Sequence, residues 1–274
     1  MRNIFLIRTV RIYALLALTT MMFGSLPSHA EEFVYELDTV RDVDVSTGID
    51  LDLRCGNTNS LRLEADSEDA FEFSNREGSL RLSRAGQGWS SSSYDWEGPI
   101  AAQMVVRSLP KSFAVSSGAV AHIADCEINR GDVAADISSG SRMRIVDMDG
   151  DIRRFSVRAS SGAGFVMNAK LELQQADLTV SSGGSVSLAD DVIVRELIVG
   201  ISSGAFVDAC GASEAVSGRI SSGGRLTVGM DAEIQGLESS SGAHVRKDGE
   251  TIRKQTGPVR CSEHWNPHVR EVIS

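Results

Sequence analysis

The tripeptide Ser-Ser-Gly occurs seven times between residues 116 and 242, and this repetition restricts the possible folds more than any other feature of the sequence. The copies end at Gly118, Gly140, Gly162, Gly183, Gly204, Gly223 and Gly242. Successive glycines are 22, 22, 21, 21, 19 and 19 residues apart. Self-similarity at a period of about 20 residues is typical of solenoid proteins, in which each repeat packs only against its neighbours.

Apolar and polar residues alternate on both sides of the triplets. In the third repeat, Val157 and Ala159 precede Gly162, while Phe165 and Met167 follow it. A period of two residues predicts strands, and the short Asp- or Gly-bearing segments between them predict corners. We therefore predict an all-β fold: a β-helix or β-solenoid of about seven coils of ~20 residues over residues 113–259. Hairpin tips of a large β-sandwich are the alternative reading of the triplets.

Glycine in each triplet predicts a sharp corner, because glycine tolerates positive φ and close backbone approach. Serine hydroxyls can bond to nearby backbone or to the serine of the next coil. Since every coil turns the same corner, we expect the triplets to form a column along one edge of the solenoid.

Residues 31–112 have a different pattern, with clean alternations such as "VDVSTGIDLDL" and "SLRLEAD" separated by turns. Ser46-Thr47-Gly48 looks like a degenerate first copy of the triplet. An open solenoid end exposes unpaired backbone groups, so we expect this region to be an antiparallel β cap and residues 260–274 to serve the other end.

The alternating strands "VDVSTGIDLDL", "SLRLEAD" and "GSLRLS", the junction "SLPKSFAVSSGAVAHI" and the repeated SSGA or SSGG corners resemble the head-GIN-domain family of putative auto-transporter adhesins. The resemblance covers roughly residues 33–250. It implies an all-β, β-helix-like domain of the bacterial envelope. It rests on strand periodicity and corner triplets, so it assigns no functional residues.

The first thirty residues predict a signal peptide. They have a positively charged start, an apolar stretch at residues 12–24 and Ser28-His29-Ala30, which resembles a cleavage site. We expect an exported protein of the periplasm, the outer-membrane surface or the extracellular space, without a transmembrane segment after cleavage. The formal net charge is -10, which disfavours nucleic acid as a partner because such binding requires clustered Lys and Arg.

An even number of cysteines in an exported chain predicts disulfides. The four cysteines are Cys55, Cys126, Cys210 and Cys261. Four cysteines allow three pairings. We prefer Cys55–Cys126 with Cys210–Cys261, because each bond would staple one end of the repeat array.

Two groups of residues could support chemistry at a metal or a substrate. Asp147 to Arg154 is the densest charged cluster in the repeats and could line a polysaccharide groove or bind calcium, although Asp and Gly are also ordinary turn residues. The EF-hand pattern fails because Arg158 stands where its glutamate is required. Cys261, His264 and His268 have metal-ligand spacing, but a disulfide at Cys261 would remove that site. We therefore predict no metal site, no cofactor and no catalytic residue.

The stretch "GWSSSSYDWEGP" concentrates three aromatic residues in a predicted loop. Trp89, Tyr94 and Trp96 lie within eight residues of a chain that is only 5% aromatic. Exposed rings on polar loops stack on sugars or bind protein partners. The other interpretation is that these rings cover the open end of the solenoid.

Together these features favour a non-enzymatic, adhesin-like binding protein that presents a repetitive acidic surface, with the aromatic loop as its contact point. Carbohydrate or another envelope component is the expected partner. Two alternatives remain: a polysaccharide-acting enzyme using the cluster at Asp147 to Arg154, and a structural scaffold that self-associates through its terminal coils.

Overall fold

A computed structural model describes residues 30–86 and 99–247. These ranges contain nineteen strands and one three-residue 3-10 turn at Glu68–Ala70. The strands are β1 (Glu31–Glu36), β2 (Asp42–Val45), β3 (Ile49–Cys55), β4 (Ser60–Ala65), β5 (Phe71–Arg76), β6 (Ser79–Arg84), β7 (Ile100–Val106), β8 (Ser112–Val115), β9 (Val120–Ala124), β10 (Glu127–Ile137), β11 (Arg142–Ala159), β12 (Gly164–Val180), β13 (Ser185–Leu188), β14 (Val192–Ile201), β15 (Phe206–Ala209), β16 (Ala212–Ile220), β17 (Arg225–Val228), β18 (Ile234–Ser239) and β19 (His244–Lys247).

The chain winds into a β-solenoid of about six turns, which confirms the predicted fold class; the sequence estimate was about seven coils. Strands before the triplets stack in parallel in the order β2, β8, β10, β11, β12, β14, β16 and β18. Strands after the triplets form a second parallel column from β3 through β9, β11, β12, β13, β15 and β17 to β19. The alternating burial along these strands places one side of each column in a continuous apolar core.

Each triplet forms a tight turn with two consecutive residues at positive φ. In the third copy, φ is 54° at Ser161 and 73° at Gly162. The turn is closed by a hydrogen bond of 3.1 Å from Ala163 N to Ser160 O. This combination is the pattern of a type I′ turn, and it recurs in all seven triplets. We call these the Ser-Gly turns and the column they form the Ser-Gly edge.

Backbone hydrogen bonds link the Ser-Gly turns from coil to coil. The glycine N–H donates to the carbonyl oxygen of the positive-φ serine in the next coil, as from Gly140 to Ser161 at 3.1 Å and from Gly204 to Ser222 at 3.0 Å. Gly48 enters the same series by donating to Ser117, and φ is also positive at Thr47. Ser46-Thr47-Gly48 is therefore the first turn of the series, as its sequence suggested.

The residue after each turn glycine is small. These residues are Ala119, Ser141, Ala163, Gly184, Ala205, Gly224 and Ala243. They lie beneath the turn, where the two strand columns converge, and Ala119 and Ala205 are fully buried. Ser141 is also fully buried, and its Oγ lies 2.7 Å from Val115 O and 2.6 Å from Ser138 O. Because a buried hydroxyl needs a hydrogen-bond partner, these two carbonyls make a serine acceptable here.

Antiparallel strands cover the N-terminal end. β4 pairs antiparallel with β1 and β7, and β5 pairs antiparallel with β6. In turn, β6 and β7 lie in parallel on β2 and β3, which form the first coil. Aromatic rings pack within this end: the centroids of Phe33 and Phe71 are 5.3 Å apart, and those of Tyr35 and Phe73 are 4.7 Å apart.

A disulfide joins Cys55 at the end of β3 to Cys126 just before β10. It spans 71 residues of sequence and is one of the two bonds preferred above. A crosslink over a loop of this length stabilises a fold by about 4 kcal/mol if its effect is on the unfolded chain. Cys210 is also disulfide-bonded, while Cys261 lies outside the described residues.

Two glycine substitutions test how the backbone is constrained. A Cβ at Gly162 would enter open space, so Gly162→Ala meets only the unfavourable positive φ and should lower the free energy of unfolding by about 1 kcal/mol. A Cβ at Gly218, where φ is 123°, would lie 2.0 Å from Val199 O, so Gly218→Ala should lower it by about 3 kcal/mol. Urea denaturation of both variants measures the difference, and equal losses would contradict this account.

Candidate functional site

The aromatic loop takes the place of a Ser-Gly turn. Trp89, Tyr94 and Trp96 lie outside the described residues, but both flanks of their loop are described. Leu82 of β6 lies beside Val45, and Ile100 of β7 lies beside Ile49. In the first coil, residues 46–48 connect Val45 to Ile49. In the adjoining coil, residues 83–99 connect Leu82 to Ile100. The loop thus begins and ends at the N-terminal end of the Ser-Gly edge.

Hydrogen bonds fix the start of this loop to the first turn. Ser46 N donates to Leu82 O at 3.0 Å, and Arg84 N donates to the Thr47 hydroxyl at 2.7 Å. Ala85 N donates to Ala70 O at 3.0 Å. These bonds hold the chain up to Ala85, so the start of the loop has a defined position.

The Ser-Gly edge is an uncharged surface that carries hydroxyl groups. The second serine of each triplet is exposed, and the triplets contain no charged residue. Within the described ranges, no hydroxyl of the fourteen triplet serines takes part in a hydrogen bond, so the coil-to-coil contact is made by backbone groups alone. The hydroxyls repeat at the strand spacing of about 4.8 Å and can each donate and accept.

Charged side chains of the strands form ion pairs between neighbouring coils. Arg195 bridges Glu172 and Glu214, with its Nη1 2.9 Å from Glu214 Oε1. Arg219 lies 2.7 Å from Glu238. These partners are 19 to 23 residues apart in sequence, which is one coil. Because solvent screens such exposed pairs, they align coils more than they stabilise them.

The cluster at Asp147 to Arg154 belongs to this coil-to-coil network. Arg153 donates to Asp132 of the preceding coil through Nε at 2.9 Å, and this bond lowers the pKa of Asp132. Arg154 pairs with Asp177 of the following coil at 3.1 Å. Both arginines are therefore engaged within the fold. Among residues 30–86 and 99–247, no group of three or more His, Cys, Asp and Glu is arranged to hold a metal ion.

A polar cluster on the outer face of β3 and β9 was not identified from the sequence. Arg54 Nε donates to Asp52 Oδ1 at 3.0 Å, Arg54 also approaches Asp125 at 3.3 Å, and His122 Nδ1 lies 3.4 Å from Asp52 Oδ2. Burial raises the pKa of Asp52, but the hydrogen bonds and charges of Arg54 and His122 outweigh burial, so this pKa lies below its usual range. Asp52 and His122 are 70 residues apart, and only the pairing of β3 with β9 reveals their contact.

A shallow, open hollow lies beside the β5–β6 hairpin. It has a volume of about 530 Å³ and is lined by Asp38, Thr39, Arg41, Asn75, Glu77 and Gly78. The Arg41 guanidinium donates to Glu77 O, and Asn75 Oδ1 is buried without a hydrogen-bond partner. Because the hollow is open to solvent, it differs from the enclosed pockets that bind small molecules.

Residues 41–232 match the model of the family described as "Putative auto-transporter adhesin, head GIN domain". The match covers most of the chain, and the protein belongs to this family. The family resemblance noted in the sequence is thereby confirmed. None of the curated proteins matches the chain by sequence.

Solved structures share the fold at low sequence identity. A putative adhesin from Bacteroides fragilis is 12% identical with a TM-score of 0.63, and the alignment covers 79% of this chain and 95% of that one. A putative lipid binding protein from Parabacteroides distasonis is 14% identical with a TM-score of 0.59, covering 80% and 96%. A putative adhesin from Parabacteroides merdae is 12% identical with a TM-score of 0.57, covering 79% and 95%.

Membership of an adhesin family indicates a protein of the cell surface or an exported protein that binds a partner. The family description names an adhesin rather than an enzyme. In the described part of the chain, no helix has the length and apolar character needed to cross a membrane.

Substitution of Arg54 tests the polar cluster. The folded-state pKa of Asp52 lies below its unfolded value of about 3.9. Ionised Asp52 therefore stabilises the fold fully above about pH 3.9, and this stabilisation is lost as the pH falls through the lowered pKa. We expect Arg54→Gln to raise the Asp52 pKa in an NMR carboxyl titration and to reduce the acid dependence of stability. Arg62→Gln, which breaks the Arg62–Glu32 pair instead, is the control and should leave Asp52 unchanged. An unaltered Asp52 titration in Arg54→Gln would refute the assignment.

Proposed function

We propose that this protein is a non-enzymatic, adhesin-like binding protein, exported to the bacterial envelope or the cell surface, and that it contacts its partner through the aromatic loop at the end of the Ser-Gly edge. Its partner is a carbohydrate or another envelope component. The observation that carries the proposal is the replacement of a three-residue turn by residues 83–99 at one end of an otherwise uniform edge.

The placement of this loop favours recognition over a purely structural role. Phe33, Tyr35, Phe71 and Phe73 pack together at the N-terminal end, where Tyr35 and Phe71 are each only 6% exposed. These rings supply the bulky apolar cover that a solenoid end requires. The argument for assigning Trp89, Tyr94 and Trp96 to the cap is weaker as a result, and stacking on a sugar or packing on a protein partner explains their presence better.

The Ser-Gly edge supports the same proposal through its chemistry. Its hydroxyl groups make no hydrogen bonds in the described part of the fold, and no charge lies among them. Neutral donors and acceptors of this kind complement the hydroxyl groups of a glycan. An extended partner held by the loop would therefore lie along the Ser-Gly edge. It could form hydrogen bonds with the serine hydroxyls there, and no charged group would have to lose its hydration.

The enzyme alternative has less support. Arg153 and Arg154 are bound to Asp132 and Asp177 of adjoining coils, and both arginines lie at the surface. A substrate that used these guanidinium groups would have to compete with those carboxylates.

A glycan-array and envelope-fraction binding screen tests the proposal. The full exported chain should bind, and Trp89→Ala/Trp96→Ala should reduce the affinity at least tenfold, because truncation of a tryptophan at the centre of a binding interface costs about 2 kcal/mol or more. Ile193→Ala is the control: this apolar side chain is 48% exposed at the start of β14, at the opposite end of that strand from its Ser-Gly turn, and its loss should not change binding. Binding that survives the double substitution would exclude the loop as the contact point. Product formation from a bound glycan would instead identify an enzyme.

A further inference from the structure

A row of outward-facing residues runs beside the Ser-Gly edge, two positions after each turn glycine. From β11 to β17 the row consists of Arg142, Gly164, Ser185, Phe206 and Arg225, which lie in register from strand to strand. The residues before and after each of them are buried, so these five lie on the outer face. We call them the Arg-Phe row. At the strand spacing of about 4.8 Å, Arg142 and Arg225 are roughly 19 Å apart.

The two arginines of the row have no carboxylate partner among the described residues. Elsewhere on the solenoid, Arg153 and Arg195 each pair with a carboxylate of a neighbouring coil. Arg142 and Arg225 form no ion pair within the described ranges, and neither does Arg144, the next outward residue of β11. Both arginines of the row are exposed, so their guanidinium groups are available to a partner.

The outer face around this row has an excess of positive charge, although the chain as a whole is acidic. Its outward positions carry three arginines and one carboxylate, that of Asp208, in the strand segments at residues 142–145, 164–167, 185–188, 206–209 and 225–228. Asp208 lies in register with Ser187 and Thr227. The whole sequence has 37 Asp and Glu against 27 Lys and Arg. A local excess of unpaired arginine in such a chain favours an acidic partner at this face.

Phe206 adds an exposed aromatic ring to the row. Its side chain is 43% exposed, and it is the one aromatic residue among the five large apolar residues that are exposed in the described part of the chain. No other described ring packs against it. On one side its neighbours in the row are Ser185 and, one strand further, Gly164. Because these residues are small, they leave that side of the ring open to a partner.

These groups together fit a sugar polymer that carries acidic groups. An aromatic ring can stack on the apolar face of a sugar, and a guanidinium group forms two parallel hydrogen bonds with a carboxylate or a similar oxyanion. The serine hydroxyls of the adjoining Ser-Gly edge can donate to and accept from sugar hydroxyls. A nucleic acid requires more clustered positive charge than three arginines provide, so a polysaccharide is the better match.

We propose that the Arg-Phe row binds an acidic polysaccharide that lies along the Ser-Gly edge. Phe206 stacks on one sugar ring, and Arg142 and Arg225 bind acidic groups on either side of it. The triplet serines bind sugar hydroxyls. This assignment rests on the function proposed above and specifies the chemical class of its carbohydrate partner. The aromatic loop contacts the same polymer, because the loop begins and ends at one end of that edge.

Calorimetric titration of the full exported chain with acidic and neutral polysaccharides tests this proposal. The acidic polymers are hyaluronan, alginate and dextran sulfate, and their neutral counterparts are the methyl esters of the first two and plain dextran. At least one acidic polymer should bind about tenfold more tightly than its neutral counterpart. Arg142→Gln/Arg225→Gln should remove that difference, because it deletes two charge-assisted contacts. Phe206→Ala should weaken binding of the acidic polymer severalfold.

Arg153→Gln/Arg195→Gln is the matched control. It also removes two positive charges, but from arginines that already pair with carboxylates of neighbouring coils. The affinity of this variant for the acidic polymer should stay within about twofold of the original chain, because exposed ion pairs contribute little to stability. Since Arg142 and Arg225 are exposed as well, both double variants should fold.

Several results would overturn the role of the Arg-Phe row and leave the proposed function standing. One is equal affinity for the acidic and neutral polymers, and another is an equal loss of affinity in the two arginine variants. A third is binding that Trp89→Ala/Trp96→Ala abolishes and Arg142→Gln/Arg225→Gln leaves unchanged, which would confine the contact to the loop. Binding of no polysaccharide, acidic or neutral, would overturn both the role of the row and the carbohydrate partner.

Discussion

The backbone hydrogen bond from a turn glycine to the positive-φ serine of the next coil, repeated from Gly48 to Gly223, organises this structure. It requires two consecutive residues in a conformation that L-amino acids avoid, and it requires them at the same place in every coil. Glycine satisfies the second position without strain. Serine is tolerated at the first position because the turn is closed by hydrogen bonds within the coil and between coils. The regular triplets of the sequence are the result of this one repeated requirement.

The composition of the surfaces follows from that requirement. The residue that follows each of the seven triplets is small, and Ser141 is accepted there because two carbonyl oxygens face its hydroxyl. Charges are confined to the strands and the other corners, where Arg153 and Arg195 pair with carboxylates of adjoining coils. An insertion into an internal turn would break hydrogen bonds to coils on both sides. The aromatic loop connects β6 to β7, in the coil on the N-terminal side of the turn at residues 46–48. It therefore lies at one end of the series of turns.

Much of the fold could be predicted because its determinants are local and periodic. Alternation such as that around Gly162 specified strands, and the spacing of the triplets specified the stacking. From the sequence we expected hydroxyl contacts between coils, whereas the structure uses backbone groups. This backbone contact could not be predicted, because it requires a positive φ at Ser161 and serine usually avoids that conformation. The cluster of Asp52, Arg54 and His122 escaped prediction for another reason: it depends on which strands lie side by side. Asp147 and Arg154 were noticed as a cluster in sequence, but the partners of its arginines lie one coil away.

The Cys55–Cys126 disulfide changes how the chain would respond to mechanical load. When a chain is pulled at its two ends, tension follows the shortest covalent path, and here that path passes from Cys55 through the disulfide to Cys126. Residues 56–125 lie outside this path, and they include β4 to β9 and the connection between β6 and β7. Strands on the path, such as β1 to β3 and β10 to β15, would therefore carry the load, while β4 to β9 and the connection that contains the aromatic loop bear no stretching force along their backbone. A protein that holds a surface under flow could extend along its length and keep the backbone of those strands free of tension.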